Sequence, residues 1–231
     1  MKKWKTKSGI EVIQILSGRC NVFLLSNESK NILIDTSVKR LRNKLEKRLD
    51  SLGIKTIDYL ILTHSHFDHA ANAQWIKQRF NSKIIIQSKE EKYLSTGKNI
   101  IPKGTTFLTR PLINLLGKHL FHLFRYEPCK PDITVDSHYE LTEFGKKLYL
   151  LHSPGHTIGS MSLIVDDEIA FVGDAMFGLL KWSVFPPYAE DVEMMIKSWG
   201  KLLETNCSEY IPSHGTANSR LLVKKDYNKR S

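Results

Sequence analysis

The sequence predicts an α/β (α+β) protein whose strands and helices come in two successive sets, residues 9–87 and 147–225. Two patterns carry this reading. Short runs rich in β-branched and apolar residues, bounded by turn residues, read as strands. Between them, apolar residues three and four positions apart read as helices. A third observation bears on function. The run 59–63 ends in His64-Ser65-His66-Phe67-Asp68-His69, so one strand end delivers three histidines and an aspartate to the rim of a sheet.

In chain order, residues 9–16, 21–25 and 31–34 are expected as strands, separated by Ser17-Gly18 and Asn27-Glu28-Ser29, with Asp35-Thr36 closing the third. Residues 39–52 place Leu41, Leu45, Leu49 and Leu52 on one helical stripe that Gly53 stops. The strand 59–63 follows, then a helix over 68–80 with Ala71, Trp75 and Phe80 toward the core, then a strand at 83–87. In the second set, 147–151, 160–165 and 168–172 are expected as strands, with a hairpin at Asp166-Asp167. Residues 190–203 form an amphipathic helix carrying Val192, Met195, Ile196, Trp199, Leu202 and Leu203. A strand at 209–212 and a helix at 217–225 complete the set. With no linker, repeat or low-complexity stretch, residues 1–231 are expected as a single domain with an apolar insert at about 95–131. The insert holds Pro102, Gly104, Pro111, Pro128 and Pro131 around a run that includes Leu112, Leu115, Leu116, Leu120, Leu123 and Phe124. Packing against the core is the expected role. A lid over a pocket and, through Arg110, Lys118 and Arg125, contact with a membrane surface are the alternatives.

Composition narrows the class. Hydrophobic residues make up 41% and charged residues 25%, which suits a soluble globular chain. The formal charge of +10 would favour acidic partners, but the lysines are scattered from Lys2 to Lys229, as on a solvated basic surface. Cys20, Cys129 and Cys207 are odd in number and far apart, so they form no disulfide framework and point to a reducing cytoplasm. Glu11 and Gln14 interrupt the apolar run after the N-terminal lysines, which argues against a signal peptide. No uncharged stretch reaches the ~18 residues of a membrane span.

Three further motifs stand at strand ends: Ser153-Pro154-Gly155-His156-Thr157, Phe171-Val172-Gly173-Asp174-Ala175 and Ile211-Pro212-Ser213-His214-Gly215. Each joins an apolar strand, a glycine that permits a tight bend, and one side chain able to bind a metal. Histidine and aspartate are ligand types suited to zinc and its first-row neighbours.

Taken in order, His-x-His-x-Asp-His, Pro-Gly-His-Thr-x-Gly-Ser, Gly-Asp and Ser-His-Gly resemble the metallo-β-lactamase superfamily, from Asp35 to His214. The resemblance implies a four-layer αββα sandwich with its site where strand ends converge. It also implies two divalent metal ions, with Zn2+ as the default and Mn2+ or Fe2+ as alternatives. His64, His66 and His156 would hold one ion, and Asp68, His69 and His214 the other. Asp174 would bridge the two, and Asp35 would orient a ligand without binding metal. In such a site two cations about 3.5–4 Å apart lower the pKa of a bridging water, so that a hydroxide attacks while Asp68 and Asp174 hold it in place.

The ligand set is glyoxalase II-like. Asp174 argues against true β-lactamases, and His66 against the flavodiiron branch, which has glutamate there. Only 17 residues follow His214, too few for the helical extension of glyoxalase II proper. Phe177 stands where lactonases usually carry tyrosine, and Tyr188 is a substitute for it in the loop that also holds Trp182 and Phe185. Core or loop packing is the expected role of these three, and substrate contact is the alternative. An apolar insert suits an acyl group better than a phosphate backbone, so the expected substrate is a small carboxylic ester, thioester or lactone. A phosphodiesterase or nuclease acting on nucleic acid is the alternative, and a non-catalytic binding protein the remote one. His119, His122, His138 and His152 are expected in packing or surface roles.

Overall fold

The computed structural model describes residues 1–27, 29–98, 102–107, 109, 111, 113, 115, 124–144 and 147–231. Two sheets carry the chain. In the first, β1 (Lys3–Lys5), β2 (Glu11–Leu16), β3 (Val22–Ser26), β4 (Asn31–Ile34), β5 (Tyr59–Ile61), β6 (Lys83–Gln87) and β7 (Ile133–Val135) lie in sequence order. Neighbours are antiparallel up to β4 and parallel from β4 to β7. The second sheet runs β13 (Asn218–Ser219), β12 (Glu209–Pro212), β11 (Ile169–Gly173), β10 (Met161–Val165), β9 (Leu148–His152) and β8 (His138–Glu140). Only β11 and β12 pair in parallel there.

Successive side chains of a strand point to opposite faces. On β6, Ile85 therefore joins the core between the sheets while Ile84 and Ile86 face outward. The inner core meets across Phe23 and Phe171, whose rings are 5.0 Å apart. Behind the first sheet lie helices α1 (Arg42–Ser51), α2 (Phe67–Ala70), α3 (Ala73–Phe80) and α4 (Glu91–Thr96). Leu45, Leu49 and Ile76 from α1 and α3 pack there on Leu24, Leu33 and Leu60. Behind the second lie α5 (Val192–Glu204) and α6 (Arg220–Asn228), through which Met195, Trp199, Leu202 and Val223 cover Ile164, Val172 and Tyr210. The layers run helix, sheet, sheet, helix, the αββα sandwich that the motifs imply.

One expected helix is divided. In place of a continuous span over 68–80, α2 ends at Ala70 and α3 begins at Ala73. The buried Asn72 at the break donates its side-chain amide to the carbonyls of Thr36, Ser37 and Val38 at 2.9–3.2 Å. Its oxygen accepts from Arg42 Nε at 3.0 Å. Val38 O also accepts from Leu41 N at 2.9 Å, but the loop after β4 would otherwise bury the carbonyls of Thr36 and Ser37 unsatisfied, and that requirement outweighs an unbroken helix. The last helix starts at Arg220, after the short strand β13 and the Ser219 cap. His138 lies on β8. Of the insert, Leu112, Leu116, His119, Leu120, His122, Leu123, Arg110 and Lys118 fall outside the described residues.

Truncating Phe171 removes the largest side chain of the sheet–sheet contact at β11. Phe171→Ala is expected to lower unfolding free energy by about 3–5 kcal/mol, read as a shift in the urea midpoint.

Candidate metal centre

Five strand ends converge at one edge of the sandwich. Asp35 follows β4, the segment 63–69 follows β5, His156 sits in the β9–β10 turn, Asp174 follows β11 and His214 follows β12. Ties between the sheets fix this edge: Met161 N donates to Thr63 O at 2.8 Å, and Asn21 N to Ser213 O at 2.7 Å. Gly173, before Asp174, has φ +54°, and a Cβ there would come within 2.8 Å of Thr63 Cβ. Both conditions require glycine where β11 turns into the site.

The ring nitrogens of one histidine set face each other. His66 Nδ1 lies 2.8 Å from His64 Nε2 and 3.1 Å from His156 Nε2. Three nitrogens held about 2.0–2.1 Å from one tetrahedral cation would be about 3.4 Å apart, so the observed 2.8 and 3.1 Å are tighter and the rings would open slightly around an ion. His64 Nδ1 lies 3.1 Å from Thr63 Oγ1, and His156 Nδ1 lies 3.0 Å from Tyr188 O. Those outer contacts leave the inner nitrogens to a shared centre.

A second group, Asp68, His69 and His214, faces the first across Asp174. Asp174 Oδ2 is 3.2 Å from His214 Nε2 and 3.5 Å from His156 Nε2, and its Oδ1 is 3.5 Å from His69 Nε2. Among the described residues, Asp174 Oδ1 and His69 Nε2 are buried without a hydrogen-bond partner. Buried polar atoms without partners are rare and call for an explanation. A divalent cation supplies one here, since the nitrogen and oxygen lone pairs are its ligands once any protons on them are displaced. The donor chemistry thus fits two such ions.

Asp35 lies one layer back, fully buried, with φ +56°. Its Oδ2 is 2.8 Å from His69 Nδ1 and accepts from Ser213 Oγ at 2.9 Å, while Oδ1 accepts from Thr63 N at 2.9 Å. One carboxylate thereby locks the His69 tautomer and links three strand ends. Cys20 Sγ, 3.7 Å from the same nitrogen, is a buried thiol pushed by its burial to about 12.

Burial, and then the charges of neighbouring histidines, hold His64 well below the usual histidine range. Burial also lowers His156. For Asp174 burial acts upward, but His214, His69 and His156 outweigh it and hold the carboxyl well below 3.8. Burial opposes charging His69 and His214. The surrounding Cys20, Asp174 and Asp35 raise the first, and Asp174 raises the second.

A cavity of about 470 Å³ opens over both groups. His66, Asp68, His156, Asp174 and His214 form its floor, and Phe67, Ile113, Phe124, Phe177, Leu179 and Pro187 supply apolar wall. Phe67 stacks on Phe124 at 4.5 Å, and Phe177 packs on His214 at 4.7 Å. Of the three aromatic residues weighed as substrate contacts, Tyr188 lines the cavity. Trp182 is 69% exposed, and Phe185 packs on Trp199 in the outer core, so neither is among the lining residues. His152 and His138 stand apart from the site, His152 Nε2 near Ile158 O and His138 against Glu140. Sequence reasoning missed Arg19, whose guanidinium lies over the Phe67 ring and 3.7 Å from Asp68 Oδ2. Its only sequence signal is its place in the turn beside Gly18.

The family model of the metallo-beta-lactamase superfamily matches residues 17–214. A probable metallo-hydrolase of Methanocaldococcus jannaschii is 31% identical over 196 residues, covering 83% of this chain and 86% of that one. A probable polyketide biosynthesis zinc-dependent hydrolase of Bacillus velezensis is 24% identical over 71% of this chain and 57% of its own length. Among solved structures, an archaeal metallo-beta-lactamase superfamily protein from Sulfolobus tokodaii superposes with a TM-score of 0.70 at 22% identity, over 94% of this chain and 85% of that one. No described helix is long and apolar enough to cross a membrane.

The charged site makes metal-free stability depend on pH. Below 6.5 the unfolded chain protonates all four imidazoles, while His64 and His156 stay neutral when folded, so stability falls toward acid. Above 6.5 the folded chain alone keeps protons on His69 and His214, and that stability is lost as pH rises through their raised values. Urea midpoints of chelated protein are therefore expected to contain a contribution that peaks near pH 6.5, with the alkaline flank flattened in Asp174→Asn.

Proposed function

Because the chain belongs to the metallo-β-lactamase superfamily and is a metallo-hydrolase of that family, we propose that it hydrolyses a carboxylic ester, thioester or lactone at a dinuclear metal centre. The observation that carries this reading is Asp174. Its two oxygens face both ligand groups, and one is buried without a partner. A carboxylate so placed is the natural bridge between two cations.

His64, His66 and His156 would hold one ion, and Asp68, His69 and His214 the other, with Asp174 shared. Bound divalent cations supply Lewis acidity, polarising the scissile carbonyl and bringing the pKa of a water toward neutrality. The chain's own groups do the rest. Asp68 and Asp174, at the cavity floor, accept hydrogen bonds from the attacking water and orient it. Asp35 keeps His69 in the tautomer that offers Nε2, as Tyr188 O does for His156. The Phe67–Phe124 stack, Ile113 and Leu179 give the cavity an apolar wall that suits the apolar part of an acyl substrate. Zinc is the favoured ion because nitrogen donors predominate, and the Bacillus velezensis relative is named a zinc-dependent hydrolase. Manganese or iron would also suit the bridging carboxylate.

A panel of generic esters, thioesters, lactones and bis(p-nitrophenyl) phosphate, with added Zn2+ or Mn2+, tests the substrate class. Turnover of carboxylic substrates is expected, and turnover of the phosphodiester alone would contradict the reading. Chelation is expected to abolish the rate and metal to restore it. Asp174→Ala is expected to lose metal by elemental analysis and to lose more rate than the ~10–100-fold typical of an outer partner. Full metal content and rate in that variant would refute the bridge.

A further inference from the structure

We propose that Glu90 is a positioning residue for the three-histidine group, acting through Ser65 and Gly159. The proposal rests on the reading that His64, His66 and His156 hold a metal ion.

Glu90 ends the short turn after β6 and is 2% exposed. Its Oε2 accepts from Ser65 N at 3.0 Å and also from the Ser65 hydroxyl. Its Oε1 accepts from Gly159 N at 3.2 Å. Ser65 lies between His64 and His66, and Gly159 lies in the turn that carries His156. That turn closes on itself through Gly155 N to Thr157 O at 2.9 Å and Ser153 N to Ser160 O at 2.9 Å. A single buried carboxylate therefore holds the two loops, one from each sheet, that bring these imidazoles together. The remaining backbone group of Ser65 is held as well, since Tyr126 OH donates to Ser65 O at 2.6 Å. Glycine at 159 belongs to the same device, because a Cβ there would fall 2.5 Å from Glu90 Cγ.

The clamp is one-sided. Glu90 makes no hydrogen bond to Asp68, His69, Asp174 or His214, whose positions are set instead by Asp35 and by the ends of β11 and β12. A carboxylate that accepts from charged-group-free backbone donors in a dry site is strongly bound to them, so removing one of its oxygens loosens one loop relative to the other. The expected consequence is asymmetric: weaker metal binding at the three-histidine group with the other group unaffected. A merely structural role would lower overall stability, or both affinities together.

Glu90→Gln tests this while preserving size. Its carbonyl oxygen still accepts from Ser65, but its NH2 then faces the Gly159 N–H. Cobalt(II) is the probe, titrated into metal-free protein in competition with a chelator, because the all-nitrogen and the carboxylate-rich groups give different visible spectra. In Glu90→Gln the three-histidine signal is expected to need about 10–100-fold more free metal, with the second signal within about twofold of wild type. Tyr126→Phe removes one hydroxyl and is expected to weaken the same signal less, which provides an independent reading if Glu90→Gln fails to fold. Equal weakening of both signals, or none in the three-histidine signal, would overturn the proposal. Absence of that signal in the wild type would instead overturn the metal reading, and this proposal with it.

Discussion

Lone pairs crowded into a dry space are the constraint on which this architecture depends. At the edge of the sandwich the buried Asp174 carboxylate lies 3.2–3.5 Å from the imidazoles of His69, His156 and His214, and a buried charge is costly unless something positive pairs with it. In the metal-free protein the protons on His69 and His214 serve that purpose, which is why both are raised while Asp174 is held low. A divalent cation replaces those protons with a stronger and better-directed charge.

The fold holds these groups together by cross-sheet anchoring. The inner core sets the separation of the sheets through contacts such as Phe23 on Phe171. At the site edge, polar ties take over: Thr63 with Met161, Asn21 with Ser213, Asp35 with Ser213 and His69, and Glu90 with Ser65 and Gly159. Each tie joins loops that are distant in sequence. Asp35 and Glu90 stand behind opposite halves of the centre, one on the His69 side and one on the His64–His66–His156 side. The apolar wall above them narrows what can reach the floor.

Much of this was legible in the sequence, for a physical reason. A candidate metal ligand must be of a particular chemical type, so His64, His66, Asp68, His69, His156, Asp174 and His214 stand out from any surrounding pattern. The glycines beside them stand out too, because Gly155 and Gly173 adopt positive φ that other residues resist. The two sets of strands likewise became the bulk of the two sheets, with β1, β7 and β8 added from outside both sets. What was not legible depends on tertiary contact. A glutamate after a strand looks like any surface glutamate, and only folding shows Glu90 to be buried between two loops. Asn72 breaks a helix that periodicity alone would continue, because the carbonyls it satisfies come from residues 36–38. Arg19, Phe67 and Phe177 become cavity wall only once β2, β5 and β11 share an edge, whereas Phe185 is drawn away onto Trp199.

Anomalous diffraction from crystals grown with zinc, collected on either side of the zinc edge, tests the central claim most directly. The account expects two peaks at the sandwich edge, one among His64, His66 and His156, the other among Asp68, His69 and His214, with the Asp174 carboxylate between them. A lone peak elsewhere, or His156 or His214 turned away from the ions, would contradict it.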